Sequence, residues 1–310
     1  MSVDILTDAV TSMRTGNPVS ARTDCRAPWG LRFSEQTGAG FHVVLSGTCW
    51  LIDPAGSRTA LGPGDIVFVR RGREHVLADD PASPVVDYRT DLSWPVSPLP
   101  PTPATGDGPL TSLLCGAYHL DQERPHPLVS ALPDLIHLPA RRGRHLALTS
   151  AIDMLGAELE RPGPGADGIV AQLIDLLLLY ILRAWLDEQP ADAAAGWAAA
   201  LRDPAIAPAL KSIHADPGRP WTVEGLGDSV GLSRAAFARR FTALVGEPPL
   251  AYLTRWRMTT AAGLLRHSET PLGVVGGRVG YGSEFAFAKA FKRAYGVPPG
   301  QYRREARPAA

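Results

Sequence analysis

At 310 residues and 45% hydrophobic content, the chain is long enough for about two domains, which excludes wholesale disorder. Its three cysteines, Cys25, Cys49 and Cys115, are too sparse for a disulfide scaffold. The formal net charge of zero hides an asymmetry: from Lys211 onward fifteen Lys plus Arg face seven Asp plus Glu, whereas the preceding residues carry sixteen against 24, so a basic, polyanion-binding module is joined to an acidic one.

Residues 1–14 have the spacing of a short amphipathic helix (Ile5, Leu6, Val10, Met13) and no apolar core of signal-peptide length, which implies a cytoplasmic protein. From Pro18 to about Leu120, short apolar runs alternate with Gly, Pro and Asp. Phe41–Leu45, Cys49–Ile52, Ile66–Val69 and Val85–Tyr88 read as strands of an antiparallel all-β unit, and Leu61-Gly62-Pro63-Gly64-Asp65 as a tight turn. Ser93 to Pro109 reads as an exposed loop. From Arg144 to Glu188 the period turns helical, with Leu148, Ile152, Leu155 and Leu159 on one helix and a break at Gly163-Pro164-Gly165. Ile169–Leu186 is apolar nearly all round, but Asp175 and Arg183 make it a core helix and not a membrane span. Such a helix is either central to a core or covered by a second copy in a homodimer. Gln189 to Trp197 reads as a linker. The expected organisation is α+β: a β-barrel sensor over 1–143, a helical dimerisation and linker segment over 144–200, and an all-α domain over 201–310.

The last domain repeats itself. Val223, Leu226, Val230-Gly231-Leu232-Ser233, Phe237, Phe241, Gly246, Pro248-Pro249 and Tyr252 recur as Leu272, Val275, Val279-Gly280-Tyr281-Gly282-Ser283, Phe287, Phe291, Gly296, Pro298-Pro299 and Tyr302. Gly282 is the one extra residue. Val223, Leu226 and Val230 share a helical face. Gly231 suits a left-handed helix end, Ser233 suits an N-cap, and Phe237 and Phe241 face inward at i, i+4. That leaves Arg234, Ala235, Ala238 and Arg239 outward. A helix, a Gly-containing turn and a second helix with a basic outer face make a helix-turn-helix, here in tandem. Leu250–Leu265 forms the joining rod, roughly 24 Å at 1.5 Å per residue. Gly276-Gly277 lies within the support helix of the second unit, which is expected to be the less stable of the two.

On Gly280-Tyr281-Gly282-Ser283-Glu284, Phe287, Ala290-Phe291-Lys292-Arg293, Gly296, Pro298-Pro299 and Tyr302-Arg303-Arg304, residues 203–307 resemble the AraC/XylS family of transcription regulators. The resemblance implies recognition helices in successive major grooves of double-stranded DNA. The corresponding contact positions are Ala235, Ala238 and Arg239 in the first helix and Phe285, Ala288 and Lys289 in the second. Ser233, Arg234, Ser283 and Glu284 flank them, and Arg240, Arg255, Lys292 and Arg293 are assigned to phosphates or the surface. Arg239 suits guanine O6 and N7. An activator working with RNA polymerase is the implied role.

Phe41-His42, Gly47, Cys49-Trp50-Leu51, Pro63-Gly64-Asp65 and His75, with Cys115-Gly116 and Leu132-Pro133 further on, resemble the cupin sensor barrel of such regulators, including reactive-chlorine sensors. Cupin enzymes hold metal on two His and a Glu in the first motif plus one His in the second. The first motif here offers only His42, which disfavours the competing reading of a metal-dependent cupin enzyme with an accessory DNA-binding domain. Three readings of the barrel stay open. Cys25, His42, His75 and Cys115 suit a tetrahedral zinc set; Cys25 and Cys115 suit a thiol redox pair; or both cysteines are buried hydrophobes. A small organic effector against Trp29, Trp50 or Phe68 is a further option. Cys49 is assigned to the core, and His119, His126, His137 and His145 to surface or capping positions.

Overall fold

The computed structural model describes residues 4–14, 16, 18–35, 38–88, 106–120, 126–141, 143–190 and 196–306. Most of the expected Ser93–Pro109 loop and the middle of the Gln189–Trp197 linker lie outside the described residues. The chain forms two compact units: one comprises Met13–Pro125 and Leu132–Glu188, the other Met1–Ser12, His126–Ala131 and Gln189–Ala310. They do not follow the chain-order boundaries expected above. The two helices within residues 146–188 belong with the barrel, and two short pieces of the N-terminal half belong with the all-α unit.

The first unit holds two five-stranded sheets. One has the order β1 (Val19–Arg26), β9 (Leu110–Tyr118), β3 (Ala39–Ser46), β6 (Ile66–Val69), β10 (Leu135–Leu138). The other runs β5 (Arg58–Leu61), β4 (Cys49–Ile52), β7 (His75–Ala78), β2 (Gly30–Phe33), β8 (Val86–Tyr88). Pairing is antiparallel except between β2 and β8. The expected turn is present: Asp65 N–H donates to the Gly62 carbonyl at 3.0 Å, the Asp65 carboxylate accepts from Gly62 N–H at 3.0 Å, and Gly64 has φ +87°. Trp29, Leu31, Phe33, Leu51, Leu77 and Leu113 pack between the sheets together with all three cysteines. Gly116 is required on β9, because a Cβ there would overlap the Phe41 ring and stand 2.7 Å from the Val19 carbonyl.

Helices α3 (Leu146–Glu160) and α4 (Ala166–Glu188) pair with each other, and α4 also packs on β1 and β10. The buried face of α4 carries Leu173, Ile174, Leu177, Leu178, Ile181 and Leu182. α4 is long and apolar enough to cross a membrane, with mean hydropathy 1.9, and 39% of that stretch is buried in the fold. The two charges within its Ile169–Leu186 stretch have local solutions. Asp175 pairs with Arg14; burial raises the carboxyl pKa, and the guanidinium only partly offsets that. Arg183 is exposed beside the Tyr180 ring. The opposite face of α4 exposes Ile169 and Leu176, and α3 exposes Leu146 (69%) and Met154 (58%).

The second unit is all helical: α1 (Ile5–Met13, all but its last residue), α2 (Pro127–Ser130), α5 (Trp197–Arg202), α6 (Ile206–Ala215), α7 (Val223–Asp228), α8 (Arg234–Val245), α9 (Pro249–His267), α10 (Leu272–Arg278), α11 (Glu284–Tyr295) and α12 (Pro299–Glu305). Each internal repeat has its own core. Phe287 and Phe291 meet Val275, Val279 and Leu265 in the second, and Phe237 and Phe241 pack on each other in the first, with Phe241 meeting Tyr252.

Candidate functional site

The two helix-turn-helix units match residue by residue. Gly231 and Gly280 both take left-handed φ, +71° and +82°. Ser233 Oγ accepts from Ala236 N–H at 3.3 Å, and Ser283 Oγ from Ala286 N–H at 3.2 Å. The joining helix α9 runs 19 residues, three more than expected, or roughly 28 Å at 1.5 Å per residue, which is close to the ~34 Å between successive major-groove faces.

The glycines of α10 set the second unit apart less than their sequence position suggests. Gly276 faces Phe287, where a Cβ would lie 3.0 Å from Phe287 Cβ. Its counterpart Gly227 faces Phe237, where a Cβ would stand 2.7 Å from the Leu232 carbonyl. This glycine is the close-approach point of support and recognition helices in both repeats, so it does not distinguish them. α7 also carries Gly225, leaving α10 with one more glycine than its partner.

The outer faces differ in chemistry. On α8, Arg234, Ala235 and Arg239 are exposed and Ala238 is half-buried. On α11, Glu284, Phe285, Lys289, Lys292 and Arg293 are exposed and Ala288 is half-buried. Among the described residues no ion pair engages Arg234, Arg239, Lys289, Lys292 or Arg293, which leaves them available to phosphates or bases. Glu284 turns its carboxylate toward Gly273 of α10, where an added Cβ would lie 3.2 Å from Oε2.

Two of the cations assigned to phosphates or the surface carry ion pairs. Arg240 is held by Asp203, with Nη2 at 2.6 Å and Nε at 2.8 Å from Oδ2. Burial alone would raise the Asp203 carboxyl, but the Ile206 and Ala205 N–H groups and the Arg240 guanidinium outweigh it and hold the pKa below the usual range. Arg240 therefore ties α8 to the capped start of α6. Arg255 pairs with Glu247, and burial lowers its pKa to about 10. Spacing could not reveal either pairing, because the acids lie outside the repeat or in its turn.

In the barrel, β3 and β9 set His42 directly opposite Cys115. His42 Nδ1 lies 3.1 Å from Cys115 Sγ, His42 Nε2 lies 2.8 Å from His75 Nε2, and His75 Nδ1 lies 2.7 Å from the Arg73 carbonyl. A carbonyl only accepts, which fixes every proton. His75 Nδ1–H donates to Arg73, so His75 Nε2 accepts from His42 Nε2–H. His42 Nδ1 then accepts from the Cys115 thiol. Burial lowers the pKa of both histidines, His42 furthest, and raises that of Cys115 beyond the ordinary thiol range. Phe33 stacks on His75 at 4.9 Å and closes one side.

This geometry sharpens the zinc and redox expectations. His42 points its two ring nitrogens in opposite directions, so Cys115 and His75 cannot meet it at one metal. Among the described residues no group of three or more His, Cys, Asp or Glu side chains is placed to hold a metal ion. Cys25 is the outlier: it pairs with Thr111, whereas Cys115 pairs with Ala21. Four ladder steps put the two cysteines roughly 13 Å apart along the strands, far beyond the ~6 Å Cα separation of a disulfide. Burial raises the Cys25 thiol to about 11 and Cys49 to about 12, as suits buried hydrophobes. Trp29 and Phe68 are buried and Trp50 is half-buried.

His126, expected at a surface or cap, does cap α2, accepting from Leu128 N–H at 3.2 Å, but it is buried. Its Nε2 lies 3.1 Å from the Tyr252 hydroxyl, which lies 2.6 Å from His214 Nε2, and His214 Nδ1 lies 2.9 Å from Asp8 Oδ2. Sequence reasoning missed this network because its four members are scattered from α1 to α9.

A cupin family model matches residues 4–187, and a helix-turn-helix domain model matches residues 226–305. An AraC-like transcription regulator of Streptomyces lividans is 34% identical over 303 residues, covering 97% of this chain and 98% of that one. An AraC-like regulator of Streptomyces antibioticus is 33% identical over 308 residues, covering 99% and 100%. The RCS-specific HTH-type transcriptional activator RclR of Escherichia coli strain K12 is 27% identical over 307 residues, covering 97% and 98%.

Proposed function

The chain belongs to the AraC-like family of transcription regulators, and from that premise we propose that its barrel switches DNA binding through the Cys115–His42–His75 chain. The protein is a DNA-binding transcription regulator and not an enzyme. The observation that carries the sensor reading is a polar chain with every proton assigned, running between the two sheets of an otherwise apolar core. Such a chain is costly unless fully satisfied, and it fails as a whole when one member changes. The proposed signal is an uncharged oxidant of the hypochlorous-acid class. It oxidises the thiol to sulfenic acid by supplying the oxygen atom and leaving as chloride with release of a proton, and the inserted oxygen breaks the S–H hydrogen bond to His42. The RCS-specific name of one relative supports this class. The Cys25–Cys115 spacing argues for a response at Cys115 alone.

Cys115→Ala, which also breaks the chain, is expected to give one footprint with and without oxidant. A footprint that still responds sinks the sensor role of Cys115. One zinc per purified chain, lost in His42→Gln, would transfer the site to metal binding.

The proposed assembly is a cytoplasmic homodimer that activates transcription by contacting RNA polymerase. The dimer reading is supported by the open apolar face of α3 and α4, around Leu146, Met154, Ile169 and Leu176. A two-fold contact buries the same patch on both copies. Leu176→Glu is expected to give monomers by sedimentation at micromolar concentration; an unchanged dimer would place the contact elsewhere.

A further inference from the structure

We infer that Phe285 reads a thymine methyl group in the major groove, giving the second recognition helix an apolar specificity that the first lacks. The inference rests on the DNA-binding reading above and adds the chemical group recognised. Phe285 is 80% exposed, the most exposed large hydrophobic side chain among the described residues. The core under α11 is already complete with Phe287, Ala290 and Phe291. Positions 285, 288, 289 and 292 fall on one helical face, opposite that core. The face therefore presents an aromatic ring, a methyl-bearing Ala288 and two lysines. The lysines match a phosphate backbone on either side of a groove, and the ring suits the one apolar feature of a base-pair edge, the thymine C5-methyl. Glu284, whose carboxylate turns toward α10, leaves the ring unobstructed. The counterpart position in α8 is Ala235, with Arg239 beyond it. The two units thus read by different chemistry, hydrogen bonding to guanine in one and apolar contact with thymine in the other.

The test uses the full chain and a duplex selected by it from a randomised pool. Each thymine is replaced in turn by deoxyuridine, which removes only the methyl. In the wild type, one position in one half-site is expected to lose about fourfold in affinity, the worth of one buried carbon group. Phe285→Ala, an exposed change that leaves the fold intact by thermal melting, is expected to bind both duplexes equally, and Phe285→Leu to keep part of the discrimination. Indifference of the wild type to every deoxyuridine, or unchanged discrimination in Phe285→Ala, overturns the inference. So does a change in oligomeric state of Phe285→Ala with discrimination intact, which would make the ring a protein contact. Failure of the wild type to select any duplex would sink the DNA-binding reading itself, a different result from selection without methyl discrimination.

Discussion

Lowering the pH of the full chain from 7.5 to 5.5 is expected to weaken the barrel by about 1–3 kcal/mol, through His42 and His75. Burial, which disfavours the charged imidazole, depresses both pKa values in the folded state, that of His42 most. The unfolded chain takes up these protons near pH 6.5 and the native barrel does not. Stability from this source is therefore fully present above pH 6.5 and is lost as the pH falls below it, at up to about 1.4 kcal/mol per pH unit for each histidine. His42 cannot accept a proton without breaking the chain. Its Nδ1 is already the acceptor for the Cys115 thiol, and a second N–H would face a donor. Hydrogen exchange in β3, β7 and β9 across the pH range reads the effect locally. His42→Gln should cut the slope by more than half, since the more strongly depressed of the two groups is gone. A barrel equally protected at both pH values would mean that one histidine is held charged, and the proton assignment would be wrong.

How much of this was legible in the sequence depends on whether a feature is local. Cys49–Ile52 and Ile66–Val69 are strands as read, because short β-branched and aromatic runs between Gly and Asp leave little alternative. The tandem helix-turn-helix was legible because each unit carries its own cap, left-handed glycine and inward phenylalanine pair within some thirty residues. Long-range pairings were not. Arg240 reads as a surface cation until Asp203, 37 residues away, is seen beside it. His42 and His75 were named together as candidates, but a tetrahedral set and a linear chain use the same residues. Only the strand register, which puts His42 opposite Cys115 and leaves Cys25 four steps away, separates them. Gly276 was read as a helix weakness because propensity is local. Its contact with Phe287 is tertiary, and tertiary packing overrides propensity.

The largest loss from deleting a single atom is expected at Tyr252. Its hydroxyl lies between His126 Nε2 and His214 Nε2, and Tyr252→Phe keeps the ring while removing both of these hydrogen bonds. The His126 ring cannot turn to compensate, because its Nδ1 accepts from Leu128 N–H. Burial holds its pKa far below the ordinary value, so it cannot recover solvation by taking a proton. His214, stacked on Trp256 at 3.9 Å and bonded to Asp8, is equally fixed. Losing two buried hydrogen bonds at about 0.5–1.5 kcal/mol each suggests a loss of roughly 1–3 kcal/mol. The loss should be local. Asp8 on α1 and His126 before α2 belong to segments that precede β1 and lie between β9 and β10, yet pack in the DNA-binding unit. The network around Tyr252 fastens these segments within that unit. Tyr252→Phe should therefore raise hydrogen exchange in residues 5–12 and 126–131 more than in α10 and α11. A loss below about 0.5 kcal/mol, or protection falling equally in both repeats, would show that the fastening lies in the surrounding Trp197 and Trp256 packing and not in the hydroxyl.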